Sequence, residues 1–304
     1  MTKPPKNIGA SVRAKLLAIS RSEGQELQLL MMRFANERLL YRLAESSYAS
    51  RFVLKGATLF TAWLGQPHRA TRDIDLFGYG DEDEAGLRET FQAIVALTYN
   101  DGVELGSRIV SSPIREDQQY GGVRLSIQAS VGGAKLSLQV DVGFGDAITP
   151  RPSVIELPAL LDFPSPKLAA YPRETVVAEK LEAIVQLGLT NTRMKDFYDL
   201  ATLADTFSFD GTTLTQALTA TFARRQTPLP TSLPDGLTPA FSLAPVTQLQ
   251  WQAFHKKAKL PLTATLFDVA EAIARFTAEP LAAAAANVPF DKQWLAGGPW
   301  RALS

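Results

Sequence analysis

The sequence reads Phe52-Val53-Leu54-Lys55-Gly56-Ala57-Thr58 and, after a spacer, Arg69-Ala70-Thr71-Arg72-Asp73-Ile74-Asp75-Leu76-Phe77. The first segment is typical of a short apolar strand that meets a glycine turn, and it predicts a helix over Thr58–Leu64. The second segment predicts another strand that begins at Asp73. We expect the rest of the chain to be organised around these two segments.

Asp73 and Asp75 are the first candidates for chemistry. Side chains two residues apart in a strand point to the same face, so both carboxylates would lie together, opposite Ile74 and Leu76. Like charges at this spacing repel each other, and a divalent metal ion between them would offset the repulsion. A solvated strand edge is the alternative explanation of the pair.

The residues around the pair favour phosphate binding. A Gly56-Ala57-Thr58 turn that opens a helix offers backbone N–H groups and the positive end of a helix dipole to a phosphate. Arg69 and Arg72 flank the carboxylates and can bind further phosphate oxygens. This combination favours metal-dependent phosphoryl or nucleotidyl transfer.

These same residues carry a family resemblance. The Gly56 turn followed by Arg69–Phe77 resembles the polymerase-β-like nucleotidyltransferases, and more narrowly the toxin branch that includes AbiEii and the mycobacterial MenT toxins. That branch reads Gly-Gly-Thr, a spacer, then Arg-x-Ser/Thr-x-Asp-Ile-Asp-Phe. Ala57 stands where Gly or Ser is usual, and Thr71 where Ser is frequent, so small residues are retained at both positions.

The resemblance implies an α/β (α+β) fold. It predicts a polymerase-β-like nucleotidyltransferase core with N-terminal helices, over residues 1–160, and a helical C-terminal domain over residues 161–304. Six prolines between Ala147 and Pro172 predict an extended connection, with Val154–Leu157 as an edge strand.

Asp141 is the third candidate carboxylate. It lies in the alternating segment Lys135–Phe144, which the Gly132–Gly133 turn predicts to form a hairpin with the preceding strand. If this strand lies beside that of Asp73, Asp141 joins the same cluster, where the polymerase-β-like fold usually places its third acidic residue. An exposed strand residue is the alternative, and Asp146 is the lesser candidate.

Lys180 lies at the edge of the apolar stripe of a helix predicted over Arg173–Leu187. A lysine in that position often only extends its charged end to water. The resemblance favours function, since Glu179–Ala183 matches the Glu-Lys-x-x-Ala-like helix whose essential lysine is thought to contact the nucleotide phosphates.

Asp196 and Asp199 belong to a further element, Thr192–Leu200, that matches the family's Arg-x-Lys/Arg-Asp-x-x-Asp-Leu pattern. At i and i+3 on a helix they share a face. The resemblance implies that one of them is the essential downstream acid, and we favour Asp196 because it follows the Arg193–Lys195 run. An acidic first turn that stabilises the helix dipole is the alternative.

Composition limits the classes of function. The chain of 304 residues has no cysteine, which excludes disulfides, thiolate metal sites and cysteine nucleophiles. Its 31 basic and 31 acidic residues cancel, so a nucleic acid would have to be held by a local patch rather than by overall charge. No stretch is apolar enough to span a membrane and residues 1–6 lack the core of a signal peptide, so we expect a cytoplasmic protein without a membrane partner.

Three sets of basic residues are candidates for such a patch. The first surrounds the motifs, and the other two lie in the C-terminal half, where solvated surface charge is the favoured explanation. The members are Arg69, Arg72, Arg173, Lys180, Arg193 and Lys195 in the first set, Arg224 and Arg225 in the second, and Lys256, Lys257 and Lys259 in the third.

The resulting hypothesis is a toxin of a toxin–antitoxin pair that transfers a nucleoside monophosphate from an NTP to RNA, with tRNA as the expected acceptor and an antitoxin as partner. Mg²⁺ or Mn²⁺ would be held by Asp73, Asp75 and Asp141. The nucleotide-binding candidates are Gly56, Ala57, Thr58, Arg69, Thr71, Arg72 and Lys180. A small-molecule nucleotidyltransferase of the aminoglycoside type, a glycosyltransferase with an Asp-x-Asp element and a non-catalytic nucleotide-binding module remain as alternatives.

Overall fold

The structure, a computed structural model, describes residues 7–66, 68–80, 83–114 and 121–302. It divides into two compact units: unit 1 comprises Met1–Gly145 and Ser153–Ala170, and unit 2 comprises Asp146–Pro152 and Tyr171–Ser304. Residues 1–6, on which the expectation about a signal peptide rests, lie outside the described part. Within that part, no helix is both long and apolar enough to cross a bilayer.

Unit 1 is built on a mixed sheet of seven strands in the described residues, with the order β3-β4-β5-β2-β1-β7-β6. Its helices are α1 (Ile8–Glu23), α2 (Leu27–Glu45), α3 (Thr58–Leu64) and α4 (Glu84–Val95). Its strands are β1 (Phe52–Lys55), β2 (Asp73–Gly78), β3 (Val103–Ile114), β4 (Gly122–Val131), β5 (Ala134–Phe144), β6 (Ser153–Glu156) and β7 (Lys167–Ala170).

The two faces of this sheet differ in polarity. In β5, Leu138, Val140 and Val142 are fully buried, and they alternate with the partly exposed Gln139 and Asp141. Helix α2 packs on β4, β5 and β7. The period-2 pattern therefore places an apolar face under a helix and leaves a polar face for chemistry.

The proline-rich connection contributes more to the sheet than expected. Besides the edge strand β6, it supplies β7, which the sequence did not predict and which pairs in parallel with β1. Two buried neighbours on α2 hold the segment between these strands: Glu37 accepts from the Leu160 N–H at 2.7 Å, and Arg38 donates to the Pro164 carbonyl at 2.6 Å. Because these contacts join residues far apart in the chain, the proline content of the segment alone did not predict the strand β7.

Unit 2 is mainly helical. Its helices are α5 (Arg173–Leu187), α6 (Met194–Thr206), α7 (Gly211–Arg224), α8 (Pro239–Ser242), α9 (Pro245–Ala258) and α10 (Leu266–Ala286). Its strands, β8 (Phe209–Asp210), β9 (Lys292–Trp294) and β10 (Trp300–Ala302), form a small antiparallel sheet. The helix predicted over Arg173–Leu187 is observed as α5, whereas α8 and these strands were not predicted from the sequence.

The helices of unit 2 pack around aromatic side chains. Phe197 of α6 stacks on Phe241 of α8, with ring centroids 5.4 Å apart. His255 is 4% exposed and lies against the Trp251 ring. The mixed α/β class predicted from the sequence is confirmed by the sheet of unit 1 and the helices of both units.

Candidate active site

The glycine turn between β1 and α3 touches one of the candidate carboxylates. Gly56 has φ of +76°, a left-handed conformation that favours glycine. A Cβ atom built on Gly56 would lie 2.0 Å from Oδ2 of Asp75. A side chain at position 56 would therefore fill the space beside the Asp75 carboxylate. The turn places its backbone, which the sequence predicts to bind phosphate, next to this carboxylate.

Strand β5 lies directly beside β2, which is the condition under which Asp141 joins the other two carboxylates. The two strands pair in parallel, with Asp75 opposite Asp141 and Asp73 opposite Gln139. Partners opposite each other in adjacent strands have side chains on the same face. Asp73, Asp75 and Asp141 therefore belong to one carboxylate cluster on the polar face of the sheet.

Two cationic residues flank this cluster. Lys55 of β1 pairs opposite Asp75, and Arg124 of β4 pairs opposite Asp141. The register thus places Lys55, Asp75, Asp141 and Arg124 in one row across four strands. The Lys55 ammonium extends towards β5, where its Nζ atom lies 3.5 Å from the position that a Cβ of Gly143 would take.

Asp141 is held by neighbouring side chains. Arg124 donates from Nε to Oδ1 at 2.9 Å and from Nη2 to Oδ2 at 2.8 Å, and Gln139 donates from Nε2 to Oδ2 at 3.3 Å. Among the residues that the structure describes, no three Asp, Glu, His or Cys side chains form a group arranged to hold a metal ion. Carboxylate oxygens are the ligand type that Mg²⁺ prefers, so Asp73 and Asp75 are the two side chains that could hold a divalent cation, whereas both oxygens of Asp141 are bonded to Arg124.

The loop that leads into β2 is tied to helix α2. Asn36, which is 8% exposed, donates from Nδ2 to the backbone carbonyl of Arg72 at 2.9 Å. Thr71 donates from Oγ1 to the Asp73 carbonyl at 3.4 Å. These bonds fix the backbone that immediately precedes the first carboxylate.

The other candidates of this loop lie nearer the surface. Arg72 is exposed, whereas Arg69 and Thr71 are partly exposed. The His68 ring stacks on Phe60 of α3 with centroids 4.5 Å apart, so the loop packs on the helix that follows the glycine turn. Two arginines thus remain near the solvent beside the carboxylates.

Lys180, Asp196 and Asp199 come together within unit 2. The Lys180 ammonium, on α5, donates to Oδ1 of Asp196 at 2.8 Å and to Oδ2 of Asp199 at 2.7 Å, both on α6. Arg193 donates from Nε to the other oxygen of Asp196 at 2.7 Å. Both aspartates therefore contact the same lysine, and the contacts do not favour one over the other.

This cluster is largely buried. The side chains of Asp196 and Asp199 are 1% and 0% exposed, against 13% for Lys180. Burial alone would raise the pKa of Asp196, but the positive charges of Lys180 and Arg193 outweigh it and the pKa is lowered from its ordinary value. Asp196 is therefore held as a carboxylate.

A second buried network of unit 2 contains Asp146 and Arg225. Arg225 donates to Glu182 at 2.7 Å and lies 3.2 Å from Glu179 and 3.8 Å from Asp146. Tyr171 donates to Asp146 at 2.8 Å, and its pKa is raised, first by burial and then by the nearby carboxylates. Arg225 is committed to these acids, which argues against its place in an RNA-binding patch.

Arg124, Lys55 and Asn36 were missed as site residues from the sequence. A signal for Arg124 existed, because a two-residue turn at Gly132–Gly133 fixes the hairpin register and places residue 124 opposite residue 141. Lys55 directly precedes the glycine turn in the same strand. Asn36 left no local signal, since its partner lies far along the chain.

A family model and solved structures resemble this chain. A family model described as "Nucleotidyl transferase AbiEii toxin, Type IV TA system" matches residues 38–275. No curated protein matches the chain.

Two solved structures from Helicobacter pylori are similar in fold. One, of a candidate nucleotidyltransferase, is 18% identical with a TM-score of 0.51, covering 86% of this chain and 98% of that chain. The other, JHP933, is 16% identical with a TM-score of 0.48, covering 86% of this chain and 94% of that chain. At these identities, the first structure supports the fold alone.

Proposed function

Because the chain belongs to the AbiEii family of nucleotidyl transferase toxins of type IV toxin–antitoxin systems, we propose that it transfers a nucleoside monophosphate from an NTP to RNA, with tRNA as acceptor. Modified tRNA would no longer support translation, and a cognate antitoxin would counteract the toxin. The observation that carries the proposal is the contact of the Gly56 turn with Asp75, inside a cluster of three carboxylates.

Asp73 and Asp75 would hold Mg²⁺ or Mn²⁺, with Asp141 as a third ligand shared with Arg124. Bound there, the metal ion would neutralise phosphate charge and polarise the α-phosphorus for attack. The chain's own carboxylates supply the oxygen ligands, and their common face is fixed by the pairing of β2 with β5.

The glycine turn and the loop before β2 would bind the triphosphate. Backbone N–H groups of Gly56, Ala57 and Thr58 lie at the start of α3, where a helix leaves its first N–H groups without partners in its own ladder. Arg69 and Arg72 would neutralise the outer phosphates, with Thr71 adding a hydroxyl.

Asp141 would accept the proton of the attacking hydroxyl of the acceptor. The hydroxyl oxygen forms a bond to the α-phosphorus, the bond to the β-phosphate oxygen breaks, and pyrophosphate leaves. Arg124 and Gln139 keep Asp141 in place for this transfer.

Lys180 is a further candidate for the transfer reaction, since the compact charge of a lysine ammonium can offset negative charge on a phosphoryl group. The bonds of Asp196 and Asp199 to its ammonium support a role for both aspartates in positioning this lysine. We therefore propose that they act through Lys180 rather than on the acceptor directly.

RNA would be guided by basic residues outside the buried networks. Arg224, Lys256 and Lys257 are exposed, in contrast to Arg225. Reversal of these three charges should weaken transfer to RNA and leave NTP binding intact. Unchanged transfer would remove this surface from the proposal.

The test is transfer of label from each of the four α-³²P-labelled NTPs to total bacterial tRNA with Mg²⁺. Asp73→Ala should abolish labelling, whereas Asp162→Ala, at an exposed aspartate of unit 1, should leave it unchanged. Nucleotide binding without labelled RNA would refute RNA transfer and direct the search to aminoglycoside-like acceptors or a non-catalytic role. A toxin role further requires that expression arrests growth and that Asp73→Ala does not.

A further inference from the structure

The bond between Arg124 and Asp141 is bidentate. Two parallel N–H donors of the guanidinium meet the two oxygens of the carboxylate at 2.9 and 2.8 Å. This geometry fixes the plane of the carboxylate as well as its position, which a lysine, as a point charge, cannot do. The Arg124 side chain is 43% exposed, so the contact lies at the open face of the sheet.

The charge of Arg124 acts on the whole carboxylate cluster. Arg124 pairs opposite Asp141 and Asp141 pairs opposite Asp75, two residues from Asp73 on the same face of the sheet. All three candidate metal ligands therefore attract this guanidinium. A divalent cation at the cluster would therefore compete with the Arg124 guanidinium for the same carboxylates and would be repelled by its positive charge.

We infer that Arg124 is a positioning residue that orients Asp141 for proton transfer. We also infer that its charge lowers the affinity of the three-carboxylate cluster for a divalent cation in the absence of nucleotide. This inference rests on the proposed function. It has two separable parts, because orientation depends on the bidentate geometry whereas competition with a cation depends only on charge.

The local structure explains why residue 124 can do this. The two-residue turn at Gly132–Gly133 fixes the register of β4 with β5, and β5 in turn pairs with β2. Arg124 is thereby held on the same face as the carboxylates by backbone pairing alone. A substitution at this half-exposed side chain should leave the sheet intact.

The experiment compares Arg124→Met and Arg124→Lys with the wild type. Arg108→Met, at an exposed arginine of β3 in the same sheet, is the matched control. Binding of Mn²⁺ without nucleotide is measured by electron paramagnetic resonance of the free ion, and kcat and KM for the NTP are measured separately. Thermal unfolding of each variant verifies that it is folded.

We expect Arg124→Met to bind Mn²⁺ on the order of tenfold more tightly than the wild type, because a neighbouring positive charge has been removed. Its kcat should fall about tenfold or more, with KM changed less than about twofold. Arg124→Lys should restore the Mn²⁺ affinity of the wild type but not its kcat. Arg108→Met should match the wild type in both.

Two outcomes would overturn the inference, and they differ in meaning. If the wild type binds Mn²⁺ and Asp73→Asn does not, but Arg124→Met has the affinity and kcat of the wild type, the inference alone fails. If the wild type and Asp73→Asn are alike in Mn²⁺ binding, with and without NTP, the proposed metal site fails and the inference falls with it.

Discussion

Gly56 and Asp75 are in direct contact: a methyl group on residue 56 would approach Oδ2 of Asp75 to 2.0 Å. We predict that Gly56→Ala lowers the rate of nucleoside monophosphate transfer from the NTP by about 100-fold or more, because the Asp75 carboxylate or the turn must move. The measurement is the transfer rate at saturating NTP, together with the free energy of unfolding.

Gly65 offers a matched control for this change. It has a similar φ of +71°, but a Cβ there would meet nothing within 4 Å. Gly65→Ala should therefore cost only about 1 kcal/mol of backbone strain and retain most activity. Similar losses in both variants would mean that backbone conformation, not the contact with Asp75, explains the defect.

The bond from Asn36 to the Arg72 carbonyl leads to a second prediction. Asn36→Ala should raise KM for the NTP about three- to tenfold, because the loop that carries the two arginines loses its anchor on α2. Stability should fall by about 1 kcal/mol with the loss of a buried hydrogen bond.

Thr175→Val serves as the control for stability, since it removes a buried hydroxyl bonded to the Thr149 carbonyl at 2.8 Å. It should lower stability to a similar degree without changing KM. If the two variants change KM equally, the loop anchor has no specific effect on nucleotide binding.

Lys180 is predicted to be important for stability as well as for transfer. Lys180→Met would leave Asp196 and Asp199 buried without their shared cation, so we expect a loss of about 3 kcal/mol or more in urea unfolding. The double variant Lys180→Met, Asp199→Asn should recover part of this stability, because one buried charge is removed, but it should not recover the transfer activity.

The exposed Lys195, on the helix α6 that carries the two aspartates, is the control, and Lys195→Met should change stability by less than about 0.5 kcal/mol. A Lys180→Met protein as stable as the wild type would show that the lysine is not needed to compensate the two acids.

The lowered pKa of Asp196 predicts an effect of acid on stability. In the folded protein the Asp196 carboxyl group stays ionised at pH values below 3.8, its ordinary pKa. Its contribution to the free energy of unfolding is therefore fully present above pH 3.8. The contribution is lost as the pH falls below 3.8 through the folded-state pKa. Asp196→Asn should remove this part of the acid dependence.

The measurement is the difference in free energy of unfolding between the wild type and Asp196→Asn from about pH 7 to about pH 3. The difference should be constant at the upper end and should shrink at the lower end. A difference that grows as the pH falls would contradict the assigned direction of the shift.

Much of unit 1 was predictable from local patterns. Alternation identified β5 and its polar face, and the Gly56 turn and the Asp73–Asp75 pair were found from residue types and spacing. The Gly132–Gly133 turn also specifies the hairpin register that sets Arg124 opposite Asp141. The strand β7 was missed because its short segment lies among prolines and is defined by its pairing with β1.

The sequence alone indicated the strands and turns of the two motifs, the family resemblance and the residue types available for chemistry, because turn chemistry and side-chain periodicity act over a few neighbouring residues. Only the tertiary structure decided that β5 lies beside β2, that Asn36 holds the Arg72 carbonyl, and that Lys180 bonds both Asp196 and Asp199. These contacts join residues far apart in the chain. Their formation depends on how whole elements pack, which no local pattern specifies.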